Sequence, residues 1–300
     1  MASSPSSGVL AALRAPVVYV TGKGGVGKTT IAAALALAAA RNGERAALVE
    51  FDDAEAGQRA LKGADVKVGH VVASFEAALE DAVTSIVGTA LLSKTALRHQ
   101  AVRRLTRAMP ALREFVSLER VRRLKASGDY DRIVCDLPAS GHALDWLRVP
   151  GAFERFLRGG PMGALGTRVN DEIIAPGKSD VVIVTLADPL VIKETRQLAS
   201  RMRDELGRSP SLIVVNRFTG QDAKGAVEAS ERLREASRGD AAAEAFEKLL
   251  KARSAVATDA IDAVNEAKGV DAGKVVAIRE APADPLVGDV LRWLDTGALA

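Results

Sequence analysis

The stretch TGKGGVGKTT, residues 21–30, decides the reading of this chain. Gly22, Gly27, Lys28 and Thr29 meet the spacing G-x-x-x-x-G-K-[ST], in which glycines let successive backbone N–H groups turn toward phosphate oxygens. VVYV, 17–20, is a β-branched and aromatic run that enters the loop, and an Ala/Leu-rich helical run to about Arg41 leaves it. Strand, loop and helix in that order are the context the spacing requires, because the helix N-terminus adds its positive end to the cradle. Gly22, Lys23, Gly24, Gly25, Val26, Gly27, Lys28, Thr29 and Thr30 are therefore the expected phosphate-binding residues. Lys28 is placed to neutralise β- and γ-phosphate charge, and the Thr29 hydroxyl to ligate Mg2+. The extra lysine, Lys23, opens the loop. Its side chain does not readily reach phosphates held by its own backbone, so it is expected to point outward.

Outward from the loop, AALVEFDD (46–53), YDRIVCDLP (130–138), SDVVIVTLADP (179–189), SLIVVNRF (211–218) and KVVAIRE (274–280) are near-continuous apolar runs. Separated by helical segments, they read as strands of a mostly parallel sheet covered on both faces, an α/β three-layer fold. A shorter strand is expected at VKVGHVVAS, 66–74. Apolar residues at helical spacing from Phe75 to about Lys125 exceed what a simple crossover needs. This predicts one domain over 1–300 with a helical insertion at about 70–127, a looser glycine-rich insertion at about 149–178, and a frayed leader at 1–14. The Ser/Pro-rich start lacks a basic n-region, and the longest apolar run, Ile31 to Ala40, is about half of a bilayer span. A cytoplasmic location is the expectation, and the single cysteine, Cys135, fits a reducing compartment.

The loop K-G-G-V-G-K-T-T, 23–30, resembles that of the deviant Walker A ATPases, a family that includes MinD, ParA, nitrogenase iron protein, ArsA and the factor that delivers tail-anchored membrane proteins. The resemblance implies an ATPase that uses Mg2+ and ATP, with Lys23 as the signature lysine reaching a dimer partner's nucleotide. CDLPASGHALDWLRVP, 135–150, looks like the second switch of the ArsA and tail-anchor branch, D-T-A-P-T-G-H before a leucine-rich helix. Asp136 would be the Mg2+-associated carboxylate at a strand end; Gly141 and His142 complete the match, while Pro138 comes one position early. In VEFDDAEAG, 49–57, Asp52 aligns with the acid that orients the attacking water, with Asp53 in place of proline and Glu55 in place of histidine. Neighbours on an extended segment face opposite ways, so either acid could face the γ-phosphate, and Asp52 is the choice. Asn216 resembles the branch's adenine-contacting asparagine, and Thr219 stands where a guanine site would want Asp. Pro282, in the C-terminal loop before the Val287, Val290, Leu291, Leu294 stripe, is the expected second contact to the base.

The resemblance has gaps. One cysteine does not rebuild a multi-Cys metalloid site, and without a CxxC, or ligand spacing among His70, His99 and His142, zinc is not expected. Between Lys94 and Lys125 stand ten Lys or Arg against Glu114 and Glu119, with Phe115 the one aromatic there. Such a face is more often solvated, and so few stacking residues argue against sequence-reading of nucleic acid. The expected partners are a second copy or a related ATPase, with an apolar helix or membrane-protein client as cargo. The alternatives are a ParA/MinD-like positioning or regulatory ATPase acting on DNA, membrane or an acidic protein, and a weakly hydrolysing subunit of a heterodimer.

Overall fold

The structure is a computed structural model that describes residues 8–51, 55–89, 111–138, 143–157, 159–220, 228–229, 231–232, 241–281 and 284–297. Seven strands form one sheet: β1 (Val17–Gly22), β2 (Ala46–Phe51), β3 (Gly69–Ala73), β4 (Arg132–Asp136), β5 (Ser179–Leu186), β6 (Leu212–Phe218) and β7 (Val275–Arg279), in the order β3-β2-β4-β1-β5-β6-β7. Every pairing is parallel, as the unbroken apolar runs predict. Side chains alternate across the sheet: Val18 and Val20 enter one core, Val17 and Tyr19 the other.

On the first face lie α1 (Lys28–Arg41), α2 (Glu55–Ala60) and α9 (Val287–Thr296). The alanines of α1 let it sit close to β1 and β4, and the stripe Val287, Val290, Leu291, Leu294 is buried against it, as expected. The expected leader is shorter than 1–14. Val9–Ala12 forms a 3-10 turn, Val9 and Leu13 are buried in this core, and the Val9 amide donates to Asp295 at 3.0 Å.

The second face carries α3 (Phe75–Val87), α4 (Leu112–Ala126), α5 (Ala143–Phe156), α6 (Pro161–Val169), α7 (Pro189–Leu206) and α8 (Ala241–Lys268). The helical excursion begins at Phe75, because Gly69–Ala73 pairs with β2 as an edge strand. Its described helices are part of the main core: Phe115 of α4 is fully buried and stacks on Phe153 of α5, with centroids 4.1 Å apart. That placement removes Phe115 as a stacking platform for a base. The region at 149–178 is more regular than its glycine content implies, ending α6 in a π-helical turn, Asn170–Ile174. No described helix is long and apolar enough to cross a membrane.

The described members of the basic cluster are engaged internally. Arg120 and Arg123 bond Asp81 of α3, Arg122 bonds Glu119 and Glu172, and Lys125 donates to the Glu172 carbonyl. Arg113 lies over the Phe75 ring at 5.1 Å. Arg98, Arg103, Arg104 and Arg107 lie outside the described residues.

Candidate functional site

The order β4-β1-β5 puts the glycine loop at the centre of the sheet's C-terminal edge, between the end of β1 and the start of α1. Two positions need glycine. Gly22 has φ 146°, and a Cβ there would stand 2.1 Å from the Val184 carbonyl oxygen; Gly27, the N-cap of α1, has φ 94°, and its Cβ would stand 2.4 Å from Asn216 Nδ2.

Lys28, at the start of α1, folds back so that its Nζ donates to the Lys23 carbonyl oxygen at 3.1 Å. Burial lowers its pKa, and the charge of Asp136 opposes that. Thr29 Oγ1 donates to Asp136 Oδ2 at 2.5 Å, although the two lie on different elements. The other Asp136 oxygen, Oδ1, is buried without a hydrogen-bond partner. Burial pushes the Asp136 carboxyl up to about 6, with Glu50 adding to the rise, while the Thr29 hydroxyl and Lys28 pull it down. An all-oxygen pair with one orphaned carboxylate oxygen, beside a phosphate loop, is a donor set that suits a hard divalent cation. Thr29 and Asp136 therefore fit Mg2+.

Lys23 points outward, as its place in the loop predicts, and ion-pairs with Glu194 of α7 at 3.1 Å. The amide of Asn216, at the end of β6, is occupied by the protein: Nδ2 donates to the Val26 carbonyl at 2.8 Å and Oδ1 accepts from the Arg217 amide at 2.9 Å. In this structure Asn216 braces the loop. Beside it opens a cleft of about 350 Å³, lined by Gly27, Thr30, Asn216, Arg217, Arg279 and Trp293, where a base continuing from phosphates on the loop would lie. Arg279 stands over the Trp293 ring at 4.9 Å, and Arg217 takes a left-handed φ of 54°, rare for a residue other than glycine. Asp52, Asp53, Gly141, His142 and Pro282 lie outside the described residues, so the structure brings together Lys23, Lys28, Thr29, Asp136 and Asn216 from the expected set.

Sequence reasoning passed over Glu50. It is 4% exposed on β2, its Oε1 accepts from the Gly57 amide at 2.7 Å, and its Oε2 lies 2.6 Å from His70 Nε2. The signal was present, since Glu50 is the one charged residue in the apolar run AALVEF.

Residues 15–160 match the family of anion-transporting ATPases of the ArsA type. The ATPase BagA of Mycobacterium tuberculosis is 29% identical over 66% of this chain and 64% of its own length. An arsenical pump-driving ATPase of Escherichia coli is 28% identical over 73% of this chain and 41% of its own. One from Aquifex aeolicus is 25% identical over 47% of this chain and 40% of its own. The chain thus spans less than two thirds of the length of these relatives. The parallel sheet with the glycine loop at its centre is an α/β P-loop NTPase-like fold, and the proteins the chain is similar to are ATPases of the ArsA type.

Proposed function

We propose that this chain binds and hydrolyses Mg2+·ATP, and that nucleotide-driven dimer switching controls its grip on a cargo or partner protein in the cytoplasm. The carrying observation is the Thr29–Asp136 contact at 2.5 Å beside the buried, unpartnered Asp136 Oδ1, directly below the glycine loop. The loop amides and Lys28 hold the β- and γ-phosphates, and the base enters the cleft beside Asn216. Bound Mg2+, held by Thr29 and Asp136, would supply charge neutralisation between the phosphates. Asp52 orients the water. Lys23 leaves Glu194 and reaches the partner's nucleotide, adding positive charge where negative charge develops. Hydrolysis then times a conformational cycle.

ATP turnover and solution mass, measured with Mg2+ for the wild type, Lys23→Ala and Asp52→Asn, test this reading. The expected result is a hydrolysing wild-type dimer and two variants that bind nucleotide but lose turnover by roughly a hundred-fold or more. A wild type that binds nucleotide yet remains monomeric and inactive would overturn the self-sufficient dimeric ATPase.

A further inference from the structure

Two carboxylates meet at the sheet's C-terminal edge on the α1 face, Glu50 buried and Asp136 half-buried with its Oδ1 out of reach of solvent. Glu50 and Asp136 are register partners on the neighbouring strands β2 and β4, and adjacent strands stand about 4.8 Å apart. Leu48 and Val134, two residues back on each strand, both lie in the core beneath α1, so Glu50 and Asp136 project to that face as well. The charge of Glu50 contributes to the raised pKa of Asp136, so the pair is mutually repulsive across the strand boundary.

Burying a carboxylate is costly unless a cation or a full set of hydrogen bonds compensates it. Among the described residues the other buried carboxylate side chain, Glu119, has a permanent cation in Arg122. Among the described residues Glu50 has only His70 as a counter-charge, a partner whose charge depends on protonation. Its oxygens are committed to the Gly57 amide and His70, which fixes the carboxylate and keeps it from turning toward the loop as a ligand. Gly57 keeps that contact close, since a Cβ there would lie 2.2 Å from Glu50 Oε2. The negative charge is therefore held in place, poorly compensated, next to the carboxylate whose own buried Oδ1 has no partner.

We propose that Glu50 is a positioning residue for the metal: fixed by His70 and the Gly57 amide, it provides a second negative charge beside Asp136 that strengthens Mg2+ retention without ligating it. The inference rests on the nucleotide-site reading above but not on hydrolysis. A divalent cation at Thr29 and Asp136 relieves the repulsion between the two carboxylates, whereas without metal the same charge opposes the nucleotide's phosphates.

The two effects have opposite signs, and the test uses that. A fluorescent ADP analogue is titrated into wild type and Glu50→Gln, first in EDTA and then with increasing Mg2+. Gln keeps the shape and the acceptor for Gly57 while removing the charge. In EDTA the variant should bind the analogue as tightly as wild type or tighter. The Mg2+ needed for half of the metal-dependent gain should rise roughly ten-fold. Equal weakening with and without Mg2+ would show a structural role and overturn the proposal, as would an unchanged Mg2+ requirement. Should Glu50→Gln fail to fold, Glu50→Asp retains the charge with a shorter reach. Its Mg2+ requirement stays within about three-fold of wild type if charge is what matters, and rises further if the Gly57 bond is what matters. A wild type that binds the analogue but does not hydrolyse ATP sinks the ATPase reading and leaves the Glu50 test decisive; one that binds no analogue sinks both.

Discussion

At the scale of the residue, the loop was legible because its chemistry is local. Gly22 and Gly27 occupy backbone conformations that only glycine takes without strain, and a fixed spacing announces them. Lys23 shows where that locality ends. Its outward direction follows from its place in the loop, but its partner Glu194 is 171 positions away and no spacing rule points to it. The ion pair holds the lysine within its own protomer, so a lysine that crosses to a partner's nucleotide must first leave Glu194. Both side chains are about half exposed, and such a pair is worth about 0–1 kcal/mol. Glu194→Ala is accordingly expected to leave nucleotide affinity unchanged and, with one pair released in each protomer, to lower the protein concentration for half-dimerisation with Mg2+·ATP by up to about thirty-fold. Analytical ultracentrifugation reads this directly. A variant that dimerises less well than wild type would instead give Glu194 a place in the dimer contact.

Among the elements, the strands could be read off the chain because a sheet covered on both faces needs unbroken apolar runs, and AALVEF shows what such a reading overlooks. Taken as a strand, it is correct; the charge inside it was absorbed into the pattern although a buried carboxylate needs a stated reason. The basic cluster failed for the opposite cause. Its residues are expected to face solvent, whereas α4 uses the described Arg120, Arg122, Arg123 and Lys125 to clamp α3 and the π-helical turn around the buried Glu119, which also accepts from the Ser85 hydroxyl. Hydrogen bonding to Glu119 is the first cause of the raised Arg122 pKa. Removing Arg122 leaves Glu119 buried with no cation, a defect that costs about 3–5 kcal/mol. Arg122→Ala should therefore lower the urea midpoint markedly, while the double variant Arg122→Met with Glu119→Leu should recover most of the loss. If the double variant unfolds as early as the single one, the pair contributes through its geometry rather than by mutual neutralisation.

For the whole molecule, the site belongs to the sheet rather than to one element. Phosphates on the loop would touch the end of β1, Thr29 and Asp136 join α1 to β4, and the cleft beside Asn216 is walled by β6, β7 and α9. A ligand there ties together strands that span most of the sheet's width, so binding should stabilise the fold as a unit rather than protect one loop. At a hundred-fold excess over Kd, binding adds about 2.7 kcal/mol, which for a chain of this size raises Tm by about 5 °C. Thermal unfolding of the wild type in EDTA, with ADP and EDTA, and with ADP and Mg2+ should give two successive rises. Asp136→Asn is expected to keep the first and lose most of the second, because it removes a metal carboxylate but leaves the loop amides that hold phosphate. Lys28→Ala should lose both, since it removes phosphate neutralisation and the contact that closes the loop on the Lys23 carbonyl. If Asp136→Asn showed the full Mg2+ increment, the metal would be held elsewhere, and the short contact between Thr29 and Asp136 would be a helix-to-strand tether.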